Sequence, residues 1–214
     1  MNPALEPEIT EDTLLGGRLR FLQPRRGYRV AIDPVLLAAA VTAGPDARVL
    51  DAGAGSGAAA LCLAARVPGC RVVGLEREPL LLAFARANVA ASGLGGRIEL
   101  AEGDLLTPSD ELKRLSFDHV MTNPPFTAPG AGTPPATGTR RAAHLAEADL
   151  EAWIGACLAR LRPRGRLTLI HRADRLDAIL AALHPAAGAV VVCPLWPRDG
   201  VAARRVIVGA RKGV

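Results

Sequence analysis

The 214 residues are half apolar and 22% charged, a balance that excludes a disordered chain and leaves one domain with a full core as the expectation. The net charge is +5 and the isoelectric point about 9.6; apart from Lys113 and Lys212, every fixed cation is arginine. Arginine forks suit phosphates and base edges, so a polyanionic partner and an Arg-rich composition bias both account for the charge.

No apolar run is long enough to span a membrane. The acidic stretch 1–13 lacks the basic-then-apolar form of a signal peptide and reads as a flexible tail. Cys62, Cys70, Cys157 and Cys193 are scattered, with no CxxC pair and no His at ligand spacing. Reduced, buried thiols in a cytoplasmic protein without a metal are the expectation.

In chain order, Leu14-Leu15-Gly16-Gly17-Arg18-Leu19 predicts a hairpin, with Gly-Gly taking the positive φ of a tight turn. In its second strand Leu19, Phe21 and Gln23 alternate with Arg20 and Leu22, so that strand is partly exposed. Pro24 to Arg29 is a basic turn. Asp33-Pro34 opens an apolar helix to about Thr42, with Asp33 as N-cap and Pro34 at the first helical position. This hairpin and helix, 14–44, are expected to pack on a core domain of 45–214.

From Ala47 onward strands and helices alternate. Strands are predicted at 48–50, 71–75, 98–100, 117–121 and 166–170, and helices at 57–66, 79–91, 148–161 and 174–183. The last two strands, 189–193 and 205–209, have no helix between them. Alternation implies right-handed crossovers and a parallel sheet, and the final pair an antiparallel hairpin. On such a sheet ligands bind at the carboxyl ends of the strands, at the switch point.

Four polar or glycine stations fall at successive strand ends. Asp51-Ala52-Gly53-Ala54-Gly55-Ser56-Gly57 follows the first strand of the alternating part and opens a helix. Its Gly-x-Gly-x-Gly spacing lets backbone approach a ligand, and the absence of Gly-Lys-Ser/Thr excludes a P-loop. Glu76 ends the second strand, where a carboxylate can accept both hydroxyls of a ribose. Asp104 lies just beyond the third and can accept from an adenine amino group. Singly, each also reads as a turn or cap residue. The fourth strand ends in Asn123-Pro124-Pro125-Phe126. Proline has no N–H, so the Asn amide and an unpaired carbonyl can point at one planar group bearing an NH2, with the Phe126 ring as a flat face beside it.

These stations together resemble the class I S-adenosylmethionine-dependent methyltransferases, and Asn-Pro-Pro-aromatic resembles the branch that methylates amino groups: adenine N6, rRNA guanine N2, or protein glutamine. The N-terminal Leu15 to Pro24, Gly27-Tyr28-Arg29 and Ile32 to Ala38 are similar to the small bacterial family of adenine-N6 methyltransferases acting beside the anticodon of a valine tRNA. That family usually has Tyr where Phe126 stands and His-Glu where this chain has His144-Leu145, with Glu147 two further on.

The resemblance implies a Rossmann-like α/β fold with a mostly parallel seven-stranded sheet, a C-terminal antiparallel hairpin and a small N-terminal β-hairpin. It implies S-adenosylmethionine held by Asp51, Gly53, Gly55, Gly57, Glu76, Asp104 and Asn123, with Asp33 near the methionine end. Asn123, Pro124 and Phe126 would serve catalysis. Arg25, Arg26, Arg29, Arg140, Arg141 and His144 would meet a nucleic acid, most of all tRNA; surface solubilisation or packing accounts for the same residues. His119, His171 and His184 read as structural, and Trp153 and Trp196 as core or sheet-end packing. Competing readings are a glutamine methyltransferase, disfavoured by the roughly 45 residues that precede the alternating part, a small-molecule or oxygen methyltransferase, and a non-catalytic nucleoside- or RNA-binding module.

Overall fold

A computed structural model describes residues 9–25, 29–124 and 140–214; in the last segment side chains are described from Leu150 onward. The chain opens on a hairpin of β1 (Ile9–Leu14) and β2 (Leu19–Pro24), paired antiparallel. Ordered strand therefore reaches into the stretch expected to be a tail. The reason is polar and cross-strand: Arg20 Nε donates to Glu11 Oε1 at 2.7 Å, and Gln23 Nε2 to Asp12 Oδ2 at 2.6 Å. Leu19, Phe21 and Gln23 are buried as their alternation predicts.

Helix α1 (Asp33–Ala40) starts one residue earlier in its capping than expected and ends two residues sooner. Ile32 is the N-cap and no side chain caps it. Asp33 instead receives Arg205 Nε at 2.9 Å, an ion pair that spans 172 positions of sequence and was not readable from the local Asp-Pro.

The main sheet contains β3 (Arg48–Ala52), β4 (Arg71–Glu76), β5 (Ile98–Glu102), β6 (Phe117–Thr122), β7 (Leu161–Arg172), β8 (Ala187–Leu195) and β9 (Arg205–Lys212), in spatial order β5-β4-β3-β6-β7-β9-β8. Pairs among β3 to β7 are parallel, whereas β9 runs antiparallel to both β7 and β8. The crossovers carry α2 (Ala58–Arg66), α3 (Pro79–Ser92), the short α4 (Asp110–Arg114), α5 (Arg140–Arg160) and α6 (Leu176–Leu183). Strand order reverses between β3 and β6, which makes their carboxyl ends the crevice of the fold.

Two apolar layers flank the sheet. Leu61, Leu63 and Met121 lie in one layer with α1, α2 and the hairpin; Leu50, Val120, Ile154 and Leu169 lie in the other with α5 and α6. Burying one such side chain contributes about 1.5–3 kcal/mol, and both layers converge on β3 and β6. Those two strands are thus held most firmly where the stations begin.

Two expectations are corrected at the edges. Helix α5 begins at Arg140, not Ala148, and α4 was missed altogether; its cap is Ser109, whose hydroxyl accepts from Leu112 N at 3.2 Å. Cys62, Cys70 and Cys157 are buried free thiols, but Cys193 is exposed because β8 is an edge strand. Among the described residues no helix is long and apolar enough to cross a membrane, and no cluster of ligating side chains could hold a metal.

Candidate functional site

Strand β3 runs into a turn in which Gly53, Gly55 and Gly57 all have positive φ, at 76°, 57° and 86°. L-residues avoid that region, so the turn demands glycine at each of them. Gly53 N and Ala54 N both donate to Leu75 O at 2.9 Å, and this bends the turn over the end of β4. A Cβ at Gly53 would also stand 3.3 Å from the indole of Trp153, so the backbone approaches that ring closely.

The next strand end is locked to this turn. Glu76, buried at the end of β4, accepts Gly55 N on Oε2 at 2.7 Å, and Arg77 N and Glu78 N on Oε1 at 2.9 and 2.8 Å. A carboxylate offers about four acceptor sites, so about one remains, on Oε2. In this arrangement Glu76 can take one further hydroxyl rather than the two foreseen.

Asp104 Oδ1 accepts Leu106 N at 2.9 Å, and its other oxygen lies 3.6 Å from Arg77 Nη1. Asn123, just past β6, has a buried Oδ1 with no hydrogen-bond partner. An orphaned buried acceptor costs about 1–3 kcal/mol, which is tolerated where a ligand donor completes it. Gly53, Gly55, Glu76, Asp104 and Asn123 line one cavity of about 290 Å3. These five predicted residues are therefore brought together. Arg77 and Trp153 line it as well. Trp153 packs at the sheet end as expected, with Nε1 donating to Thr122 Oγ1 at 3.0 Å, yet its part in the cavity wall was missed.

The other predicted residues whose side chains are described do not line the cavity. Asp51 is buried beneath the turn, where Oδ2 accepts Ala60 N at 3.1 Å. Burial pushes its carboxyl up to about 7, against the Ala60 N–H and with the help of nearby Glu76; it orders the start of α2 and does not face the cavity. Gly57 is the N-cap of α2. Asp33 is held at the same edge of the sheet by Arg205, the register partner of Arg172 at the end of β7. Arg29 is bound to the hairpin, with Nη2 on Asp12 Oδ2 at 2.9 Å and Nη1 on Thr10 Oγ1 at 2.8 Å, and Arg25 is exposed beside it. Pro124 is buried next to Asn123. Arg26 and Phe126 lie outside the described residues, as do the side chains of Arg140, Arg141 and His144.

One contributor gave no signal in the sequence. Asn88, fully buried on α3, accepts Leu22 N at 2.6 Å through Oδ1, and its Nδ2 donates to Leu22 O at 2.9 Å and Ser56 O at 3.0 Å. It ties the hairpin to the glycine turn. His119 is structural, as expected: its Nε2 meets Thr168 Oγ1 at 2.8 Å, and burial pulls its pKa down to about 4.

The fold agrees with what related sequences show. The model of the methyltransferase small domain matches residues 31–174. The chain belongs to that family. Among the relatives in this family is a tRNA1(Val) (adenine(37)-N6)-methyltransferase of Porphyromonas gingivalis, 42% identical over 69% of this chain and 60% of its own length. A release factor glutamine methyltransferase of Burkholderia pseudomallei is 33% identical over 92% of this chain and 59% of its own. The chain thus spans about three fifths of the length of these curated relatives. Among solved structures, a predicted O-methyltransferase of Agrobacterium tumefaciens superposes with a TM-score of 0.70 at 29% identity, covering 85% of this chain and 81% of that one. The architecture is that of the class I methyltransferases, with the seven-stranded sheet and C-terminal reversed strand that the sequence led one to expect.

Proposed function

We propose that the protein transfers a methyl group from S-adenosylmethionine to an exocyclic amino group, most of all adenine N6 in tRNA. The observation that carries this reading is the buried, unpartnered Oδ1 of Asn123 in a cavity shared with Gly53, Gly55, Glu76 and Asp104. S-adenosylmethionine, when bound, supplies an electrophilic methyl on a sulfonium. The chain's own groups fit such a guest. The close, Cβ-free backbone of Gly53 and Gly55 gives room, Glu76 keeps an acceptor site on Oε2 for a ribose hydroxyl, and Asp104 has an oxygen placed to accept from an adenine amino group. Arg77 competes for that oxygen across 3.6 Å, so it swings aside or stays on the second lone pair.

Asn123 Oδ1 acts on the acceptor. An exocyclic amine has its lone pair delocalised into the ring. Accepting one of its hydrogens at Asn123 Oδ1, and the other at the Pro124 carbonyl, turns the nitrogen toward a tetrahedral shape and aims the lone pair. That is orientation together with stabilisation of developing positive charge. No strong base is needed, because the nitrogen becomes acidic as it is methylated. In this reading Phe126 stacks on the base, which leaves its own stack to enter. Arg25, Arg26, Arg29, Arg140 and Arg141 meet phosphates, His144 orients the loop, and the protein works on cytoplasmic RNA.

A second reading has one observation in its favour, the likeness of nearly the whole chain to the glutamine methyltransferase. A glutamine amide presents the same NH2 to the same acceptors. Incubation with methyl-labelled S-adenosylmethionine and cell extract fractionated into tRNA, rRNA and protein separates them. Label in tRNA, recovered as N6-methyladenosine after digestion, is the expected outcome; label in protein alone overturns the RNA reading.

A further inference from the structure

The edge of the sheet opposite the cavity is lined with arginine. Arg166 on β7 is the register partner of His119 on β6 on one side and of Arg211 on β9 on the other. Arg48 and Arg71, themselves register partners, open β3 and β4 along the same edge. Between β6 and β7 the ladder is interrupted: Phe117 faces Leu161 and His119 faces Arg166, so four residues of β7 stand opposite one of β6. The segment that bulges out is Arg162-Pro163-Arg164-Gly165. Bulges re-aim side chains at sheet rims, and this one projects two more arginines past the end of the sheet.

Arg162, Arg164, Arg166 and Arg211 line an open pocket of about 580 Å3. Two carboxylates face the same space, Asp46 and Asp118. Asp118 is already committed, through Oδ2 to Arg48 N at 2.7 Å and through Oδ1 to Arg162. Arg166 Nη1 reaches only a neutral hydroxyl, Thr42 Oγ1, at 3.2 Å. Arg211 has a buried Nε with no hydrogen-bond partner. Arg164 is exposed and sits at a left-handed φ of 62°, a conformation that costs an L-residue about 1 kcal/mol or more. Four guanidinium groups against two carboxylates leave the pocket with excess positive charge, and one buried donor lacks an acceptor.

We propose that this pocket is a second phosphate-binding site, which grips the RNA backbone at a distance from the transferred methyl group. The inference rests on the reading of the acceptor as RNA. A strand rises about 3.3 Å per residue, so the five to six residues of β3 and β6 put this edge roughly 15–20 Å from the cavity. A strand of one or two nucleotides entering the cavity is too short to reach it; a folded RNA with helical arms does. The site selects for the size of the acceptor and is indifferent to its sequence, because phosphate contacts position without reading bases.

The test is the double variant Arg164→Gly with Arg166→Gln, assayed on unfractionated transfer RNA and on a short adenosine-containing single strand. Glycine relieves the left-handed φ at 164, and thermal melting checks that the variant is folded. The expected result is transfer RNA binding weakened about five- to tenfold, with a salt dependence shallower by about one for each arginine removed. Methylation of the short strand and binding of S-adenosylmethionine stay unchanged, and Arg164→Lys in the Arg166 background retains binding. Wild-type affinity and salt slope in the folded double variant overturn the inference, and so does an equal loss on the short strand, which would place these arginines at the transfer site. If the wild-type protein labels no RNA at all, it is the acceptor reading that fails, so the two failures are distinguishable.

Discussion

The side-chain amide of Asn88 closes both backbone hydrogen bonds of Leu22, a residue 66 positions earlier, and reaches Ser56 O with its second hydrogen. One buried amide thus joins β2, α3 and the glycine turn. Replacing it with alanine strands the Leu22 N–H and C=O and the Ser56 carbonyl, each at a cost of about 1–3 kcal/mol. For Asn88→Ala we expect a loss of about 3–5 kcal/mol in denaturant unfolding. Hydrogen exchange of the Leu22 amide should become fast ahead of the rest of the fold. Protection at Leu22 equal to wild type would show that the hairpin is held by its apolar side alone.

For Asn123→Ala the two halves of the site separate. The orphaned oxygen disappears, so stability should hold or rise slightly. S-adenosylmethionine affinity, measured by calorimetry, should change by less than about threefold, while turnover falls by about 10²-fold or more, the scale seen when one preorganised polar group is removed from a transition state. Retained turnover would move the acceptor contacts away from Asn123.

Gly53 faces two penalties at once. Alanine there must adopt a φ of 76° and place a Cβ 3.3 Å from the Trp153 indole. We expect Gly53→Ala to cost about 1–3 kcal/mol and to weaken S-adenosylmethionine binding more than Asn123→Ala does. Trp153→Phe in the same background takes away the outer edge of the indole, Cζ2 and Cη2, that the new Cβ would meet but leaves the φ penalty, so it should rescue only part of the loss; full rescue would assign the whole effect to the indole contact.

Asp51 gives a pH signature. Its carboxyl titrates near 7 when folded against 3.8 as its ordinary value. Between those values the folded chain keeps a proton that the unfolded chain has released, so this group lowers stability as pH rises, by up to about 1.4 kcal/mol per pH unit. The effect is absent below about pH 4 and constant above about pH 7. His119 and His171, both pulled down to about 4 by burial, act in the opposite sense between about pH 4 and 6.5. Asp51→Asn mimics the protonated form. The stability gap between this variant and wild type should therefore widen in the variant's favour from pH 4 to 7 and then level off. A gap independent of pH would mean that Asp51 is ionised throughout.

The stations were legible because each sits where a periodic strand stops and a residue of distinctive chemistry follows: Gly53, Glu76, Asp104, Asn123. Local order of this kind survives in the sequence. What was not legible depends on partners far away. Asp33 looked like a cap because its ion partner, Arg205, is 172 residues on. Ile9 to Thr13 looked like a tail because its acidic residues find their partners further along the chain, at Arg20, Gln23 and Arg29. The wall contributed by Trp153, and the tie made by Asn88, follow from how helices register on the sheet, which no local pattern encodes. Helix α4, with five residues, is too short for periodicity to show.

The bond from Gly55 N to Glu76 Oε2 makes the turn and the acid at the next strand end one mechanical part. Removing the carboxylate from Glu76 would release the turn as well as an acceptor, and so alter the room available to any part of a guest that lies against Gly53. Affinity lost in such a variant would be spread over the whole guest rather than confined to the group that touches residue 76. A guest truncated at that group should still bind the variant more weakly than it binds the intact protein.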